Sequence, residues 1–147
     1  MALTTVSLET LLHSAPYLEG LAERHADWFA ASRAISPDTA LQTVLHGLKR
    51  LGETAADEVE IGRELRIAKG RVALLAAVSE VEGSWTTAQS TAALSDLADF
   101  ALEAGLDTLM RLAAARGQVK SATAAGSGLA IFALGKHGGR ELNYSSD

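Results

Sequence analysis

Apolar residues recur every three or four positions along most of the chain, which is the spacing of one face of an α-helix. Ser7 can cap a short first helix that Pro16 limits. Residues 17–34 predict either one further helix or two short ones. The apolar face of that segment consists of Leu18, Leu21, Trp28 and Phe29.

Two stronger helix signals follow. Ser36-Pro37-Asp38 combines an N-cap, a first-turn proline and a first-turn acid, and Gly52 is the expected end of this helix. Residues 55–81 predict a long helix that Glu82-Gly83 closes. Its first turns are acidic and its middle is basic, an order that suits the helix dipole and predicts pairs such as Glu60–Arg63.

A second long helix is predicted from Thr86 or Thr87 to about Arg116-Gly117. A continuous apolar stripe marks its expected buried face: Leu94, Leu97, Ala101, Leu102, Leu106, Leu109 and Leu112.

The composition changes after Gly117. Residues 118–127 are small and polar without a period, which is typical of a linker. Residues 128–134 form a short apolar run bounded by glycines and predict a buried strand. The expected fold is therefore mainly α: an antiparallel helical array over 1–117, a linker over 118–127, and over 128–147 one β-strand with a glycine loop.

Composition narrows the function classes. The 147 residues are 48% apolar and 21% charged, with a net charge of −5 and no cysteine. The absence of cysteine excludes disulfide frameworks, thiolate zinc sites and cysteine nucleophiles. The negative charge argues against broad nucleic-acid binding. Because no apolar run approaches ~20 residues and the N-terminus lacks a basic signal region, we expect a cytoplasmic protein without a membrane span.

The chemistry is concentrated in the string GKHGGRELNYSSD, residues 135–147. Three glycines after a predicted strand let backbone amides approach an anion, and Arg140–Tyr144 are expected to form one helical turn facing the same loop. Lys136 is either a phosphate ligand or a solvated loop lysine. His137 is interpreted as an exposed loop residue rather than as a base.

The spacing from Gly135 to Asp147 resembles the first half of the G-x11-D-x-D signature of DNA polymerase β-type nucleotidyltransferases. The whole string resembles the glutamine synthetase adenylyltransferase/adenylyl-removing enzyme family. Two upstream segments are also similar to that family: the basic Leu65–Arg71 and the LSxLA-type Leu94–Asp99. His137 stands where the family usually has an apolar residue.

The resemblance implies that the strand begins an α/β nucleotidyltransferase domain and that the chain is an N-terminal fragment ending at the first aspartate of the signature. It implies that Asp147 is catalytic and a Mg²⁺ ligand in the parent enzyme. It assigns nucleotide or phosphate binding to Gly135, Lys136, Gly138, Gly139, Ser145 and Ser146.

The implied parent uses Mg²⁺ with ATP, ADP or phosphate, acts on a tyrosine of glutamine synthetase and responds to the PII signal protein. Its N-terminal half implies the adenylyl-removing direction. One terminal carboxylate is too few for such a metal site, so we expect the fragment to be inactive alone, with none of these cofactors bound. The expected strand then docks, frays, or pairs with a second copy in self-association. The alternatives are a PII uridylyltransferase fragment and a non-catalytic helical interaction domain.

Overall fold

The computed structural model describes residues 7–144, and this part of the chain contains seven helices and no strand. The helical part of the expected fold is therefore confirmed. None of these helices combines the length and the apolar character needed to cross a bilayer. The helices are α1 (Leu8–Ser14), α2 (Pro16–Arg24), α3 (Ala26–Ser32), α4 (Pro37–Thr54), α5 (Glu58–Val81), α6 (Thr87–Ala115) and α7 (Gly135–Gly138).

Helices α4 and α6 start where their capping residues predict, whereas α5 starts at Glu58, after the Asp57 cap, and not at residue 55. Ser36 Oγ accepts a hydrogen bond from the Thr39 amide at 3.2 Å, with Pro37 in the first turn. Thr86 caps α6 and forms a reciprocal capping box with Gln89. Such caps satisfy amides that have no partner within the helix, which fixes where each helix begins.

Glycines end α5 and α6 as predicted. Gly83 has φ +74 and Gly117 has φ +71, in the left-handed region that favours glycine. Gly52, in contrast, is not a helix end, because α4 continues to Thr54. A Cβ added at Gly52 would lie 2.9 Å from Ala104 Cα, so this glycine allows α4 and α6 to approach closely.

Helix α5 lies between two apolar clusters. One joins it to α4 and α6 and includes Leu45, Val72 and Leu97. The other joins it to the N-terminal helices through Leu21 and Leu74. Because both sides of α5 are covered, its residues from Val72 to Ser79 are all buried, which a one-sided amphipathic pattern would not give.

Contacts at both ends show that α5 and α6 are antiparallel. Ser90, near the start of α6, donates to the Ala76 carbonyl near the end of α5 at 3.5 Å. Arg116, just beyond α6, is 3.4 Å from Glu58 at the start of α5. This arrangement confirms the antiparallel packing of the two longest helices.

Two details of the predicted helix faces are wrong. Leu102 and Leu109 are exposed, because α6 packs on α4 and α5 largely through small residues such as Ala93 and Ala104. The expected Glu60–Arg63 pair is not formed. Glu60 instead accepts a hydrogen bond from the Ala56 amide at 2.6 Å, and Arg63 pairs with Glu64 at 3.1 Å.

The strand predicted over residues 128–134 is also wrong. The backbone there forms no ladder, and Leu129, Ile131, Phe132 and Leu134 are all exposed. A strand needs a neighbouring backbone edge to satisfy its donors and acceptors, and the described part of the chain supplies no such edge. The apolar run therefore stays unpaired.

Candidate functional site

The glycine-rich string begins with a helical turn, and its position differs from the prediction. The turn is α7, Gly135–Gly138, and residues 140–144 are not helical. The Gly138 and Gly139 amides donate to the carbonyls of Leu134 and Gly135 at 3.3 and 2.9 Å. In this conformation these two amides are engaged within the turn, so the expected open anion cradle is not formed by them.

Arg140 explains why the turn ends before residue 140. It adopts φ +58, the left-handed conformation that usually favours glycine. Its amide donates to His137 O at 3.0 Å, and the Glu141 amide donates to Lys136 O at 2.7 Å. These two bonds are the C-terminal closure of a helix, so Arg140 ends a helical turn instead of starting one.

Polar contacts attach the described part of the string to α6. His137 Nε2 lies 2.7 Å from Asp99 Oδ1, and Arg140 Nη2 donates to Asp96 Oδ1 at 2.6 Å. The Leu142 amide donates to Ser95 Oγ at 3.3 Å. The interpretation of His137 as an exposed loop residue is therefore wrong, because its side chain is largely covered and has an acidic partner.

The structure describes only some of the predicted site residues. Gly135, Lys136, Gly138 and Gly139 lie together in the α7 turn, and Lys136 is exposed. Ser145, Ser146 and Asp147 lie outside the described residues. Within residues 7–144 no three His, Asp or Glu side chains form a group that could hold a metal ion, so these residues do not by themselves fit a Mg²⁺ site.

A groove of about 520 Å³ runs between α5, α6 and residues 137–144 of the string. The three segments that carry the sequence resemblance all contribute to it. We call it the α5–α6 groove, and its lining comprises Tyr17, Leu65, Arg66, Lys69, Ala73, Leu94, Leu97, Ala98, Ala101, Leu102, His137, Leu142, Asn143 and Tyr144.

The groove combines an apolar wall with a basic edge. Arg66 and Lys69 are exposed, and neither forms an ion pair with any residue from 7 to 144. Arg63, one turn earlier, is paired with Glu64. Tyr144 lies at the edge of the groove, and partial burial, together with the nearby Glu80 carboxylate, raises its pKa to about 12.

Sequence reasoning assigned no role to Asp96 and Asp99. The available signal was their spacing of three residues, which puts two carboxylates on one face of a helix. Finding their partners requires the tertiary fold, because His137 and Arg140 lie 38 and 44 residues later in the chain. Tyr17 was missed for the same reason, since it enters the groove from α2.

Comparison with known proteins points to one family. A family model described as glutamate-ammonia ligase adenylyltransferase matches residues 5–147. The chain is 34% identical over 146 residues to the bifunctional glutamine synthetase adenylyltransferase/adenylyl-removing enzyme of Rhodopseudomonas palustris strain HaA2, with 97% of this chain and 15% of the relative covered.

Two further relatives carry the same description. The Xanthobacter autotrophicus protein is 46% identical over 97 residues, covering 63% of this chain and 10% of the relative. The Bradyrhizobium diazoefficiens protein is 40% identical over 115 residues, covering 76% and 12%. The chain thus spans about 10–15% of the length of these relatives. No solved structure matches it.

Proposed function

The chain belongs to the glutamate-ammonia ligase adenylyltransferase family, and from this membership we propose that it is part of a bifunctional enzyme that adds AMP to a tyrosine of glutamine synthetase and removes it. The observation that carries this proposal is the similarity to the Rhodopseudomonas palustris enzyme along 97% of the chain. Glutamine synthetase and the PII signal protein are the proposed partners of the whole enzyme.

We assign this part of the enzyme to the removing reaction. There a phosphate oxygen attacks the adenylyl phosphorus, the bond from phosphorus to the tyrosine oxygen breaks, and ADP leaves with the free tyrosine. Residues 128–147 are proposed to begin the nucleotidyltransferase domain. Asp147 would supply one carboxylate of its metal site, and Ser145 and Ser146 would bind phosphate.

The glycine string is proposed to contact phosphate through Gly135, Lys136, Gly138 and Gly139. The exposure of Lys136 supports this role, because an exposed lysine side chain is accessible to a phosphate group. The Gly138 and Gly139 amides would become available only when the α7 turn opens, since both now donate within it. Bound Mg²⁺ would neutralise charge on the transferring phosphate, and residues 7–144 alone do not provide its ligands.

A chimeric enzyme tests the proposal. Residues 1–147 replace the matching segment of the Rhodopseudomonas palustris relative, and both reactions are assayed on modified and unmodified glutamine synthetase. Asp147→Asn keeps the side-chain shape but removes a charge, so we expect at least a ~100-fold loss of the removing reaction, about 2.7 kcal/mol. The adenylylating reaction should change much less.

Asp38→Asn is the matched control, because Asp38 is an exposed carboxylate far along the chain from the string. Equal losses in both reactions would contradict separate sites, and no loss in either would remove Asp147 from the chemistry.

The alternatives predict different results in the same chimera. The relatives named above share the adenylyltransferase description, which favours this parent over a PII uridylyltransferase. A non-catalytic helical module would fold normally in the chimera while the removing reaction stayed absent.

A further inference from the structure

Acidic side chains of α6 hold the glycine-rich string on both sides of its two adjacent glycines, residues 138–139. Asp99 binds His137 just before them, and Asp96 binds Arg140 just after them. We infer that Asp96 and Asp99 are positioning residues for the removing reaction, which hold the string in place where it contacts phosphate. This inference rests on the proposed function, and it gives neither acid a contact with the substrate.

The contacts also fix the register of the string on α6. They pair successive string residues with α6 residues in reverse order: His137 with Asp99, Arg140 with Asp96, and Leu142 with Ser95. The string therefore runs antiparallel to α6 over about 6 Å of the helix axis, the length of four residues. A slip along the helix would break several of these contacts at once.

The two residues that follow keep to the same course. The charge of Glu80, near the end of α5, acts on the Tyr144 phenol. Glu80 also accepts a hydrogen bond from the hydroxyl of Thr87, the first residue of α6, at 2.6 Å. Tyr144 has therefore advanced towards the start of α6, as the reverse order of the earlier contacts requires.

Ser95 shows that α6 receives the string backbone as well as its side chains. Ser95 is fully buried, and its hydroxyl donates to the Thr91 carbonyl at 2.9 Å. Because a hydroxyl carries a single proton, Ser95 faces the string as an acceptor, and the Leu142 amide donates to it at 3.3 Å. Ser145, the first of the proposed phosphate-binding serines, follows Leu142 by only three residues.

The glycine pair needs fixed ends because it has to rearrange. The amides of Gly138 and Gly139 now donate within the α7 turn, so they reach phosphate only when that turn opens. Glycine has the widest choice of backbone conformations, and an unanchored pair would open into many arrangements. With His137 and Arg140 bound to α6, the rearrangement is confined to the residues between them. A misplacement of about 1 Å can cost roughly 100-fold in rate, so this restriction matters for the reaction.

Acidity of this side of α6 is not sufficient to hold the string. Glu103 and Asp107 line the same shallow pocket as Asp99 and His137. Neither of them is a hydrogen-bond or ion-pair partner of the string in its described part. These two acids therefore provide a matched control on the same helix.

Steady-state kinetics of the removing reaction in the chimera tests the inference, with phosphate and adenylylated glutamine synthetase varied separately. Asp96→Asn with Asp99→Asn should raise the KM for phosphate at least about fivefold and lower kcat/KM for phosphate about 10- to 100-fold. The KM for adenylylated glutamine synthetase should stay within about twofold. A variant that merely lost folded enzyme would lower the rate without moving either KM, so the phosphate KM separates positioning from a purely structural role.

A double-mutant cycle asks whether Asp96 acts through Arg140. Asp96→Asn, Arg140→Gln and their combination should raise the phosphate KM to the same level within about twofold, because a contact broken from both sides is lost only once. Effects that multiply in the combined variant would show that Asp96 does not act through this contact.

The control removes two charges from the same side of α6. Glu103→Gln with Asp107→Asn should leave the phosphate KM within about twofold of the unmodified chimera. Circular dichroism verifies that every variant keeps its helices, and the adenylylating reaction of the same preparation verifies that the rest of the enzyme is intact.

The inference is overturned by an unchanged phosphate KM in the Asp96/Asp99 double variant, by an equal rise in the Glu103/Asp107 double variant, or by multiplying effects in the cycle. Failure of the proposed function looks different. An unmodified chimera without the removing reaction, or one that Asp147→Asn leaves active, overturns that function and this inference with it. A chimera that depends on Asp147 but keeps its phosphate KM in the Asp96/Asp99 double variant overturns the positioning role alone.

Discussion

His137 of the glycine-rich string lies 2.7 Å from Asp99 of α6, measured from Nε2 to Oδ1. The next link is Arg140 with Asp96, at 2.6 Å. Both acids belong to the LSxLA-type segment and both partners belong to the string. Two sequence motifs that are far apart in the chain are thus joined directly by side chains.

Removing these carboxylates should loosen the string. Asp96→Asn with Asp99→Asn removes the charge from both contacts while keeping their size. A partly exposed polar contact of this kind contributes about 0.2–1 kcal/mol. We therefore expect amide hydrogen exchange of residues 137–142 to accelerate roughly 2- to 10-fold, measured by mass spectrometry, with no change in α4 or α5.

Glu103→Gln is the matched control, since Glu103 is an exposed acid of the same helix. Unchanged exchange in the double variant would show that the string is held by the Ser95–Leu142 bond and packing instead.

Replacing each of two glycines of α4 with alanine should change the unfolding free energy in opposite directions. Gly52→Ala places a methyl group 2.9 Å from Ala104 Cα, where backbone must move, so we expect a loss of about 1–3 kcal/mol in unfolding free energy. Gly47→Ala meets nothing within 4 Å and should gain about 0.5–1 kcal/mol. Urea unfolding measures both. A stable Gly52→Ala variant would mean that α4 and α6 are less closely packed.

The helix boundaries were predictable because their causes are local. Ser36, Thr86, Gly83 and Gly117 act through hydrogen bonds and backbone angles within a few residues of themselves. The prediction that Gly52 ends α4 is wrong because the reason for this glycine is not local. Its lack of a side chain lets Ala104, which lies in another helix, approach α4 closely. Sequence spacing cannot separate these two uses of glycine.

The candidate site was predictable only as a string of residue types. The glycines of 135–139 were recognised, but the turn they form is closed by Arg140, which takes the left-handed angle expected of a glycine. The groove could not be predicted, because Arg66, Ala98 and Tyr144 come from three segments that only the fold brings together. The strand prediction is wrong for a related reason, since a strand forms only where a neighbouring strand pairs with its backbone.

Two leucines of the predicted α6 stripe should differ strongly in their contribution to stability. Leu97 is 7% exposed in the core and Leu109 is 48% exposed. Leu97→Ala removes buried methyl groups and leaves a cavity, which costs about 2–5 kcal/mol. Leu109→Ala should cost less than about 1 kcal/mol. Chemical denaturation of both variants checks this, and equal costs would place Leu109 in the core.

Stability should fall on mild acidification because of His25. Its ring is buried over Gly70, and its pKa is lowered by burial, then by Arg71 and Arg24. Arg71 is itself held over the Trp28 ring, 5.4 Å from its centroid. Because the folded pKa lies below the unfolded value of about 6.5, this contribution is complete above that pH. It decreases as the pH falls towards the folded pKa.

The slope that a single histidine can add is at most about 1.4 kcal/mol per pH unit. Denaturant unfolding at a series of pH values from 7.5 to 5 should show a steeper decline for the unmodified chain than for His25→Gln. His46→Gln is the control, since His46 is exposed on α4. Parallel curves for the unmodified chain and His25→Gln would show that His25 is not responsible.

The exposed apolar segment 129–134 should cause concentration-dependent self-association. Its backbone forms no ladder with any other described segment, and Phe132 is 81% exposed. Pairing with the same segment of a second copy would satisfy both backbones and cover the apolar side chains. Phe132→Ser should therefore weaken self-association at least about fivefold, about 1 kcal/mol, as measured by sedimentation velocity.

Val59→Ser is the matched control, because Val59 is 76% exposed but lies on helix α5, whose backbone is already paired. Amides of residues 129–134 should exchange rapidly in dilute solution and become protected as the concentration rises. A chain that stays monomeric, or equal weakening by the two variants, would show that the segment does not pair through its backbone.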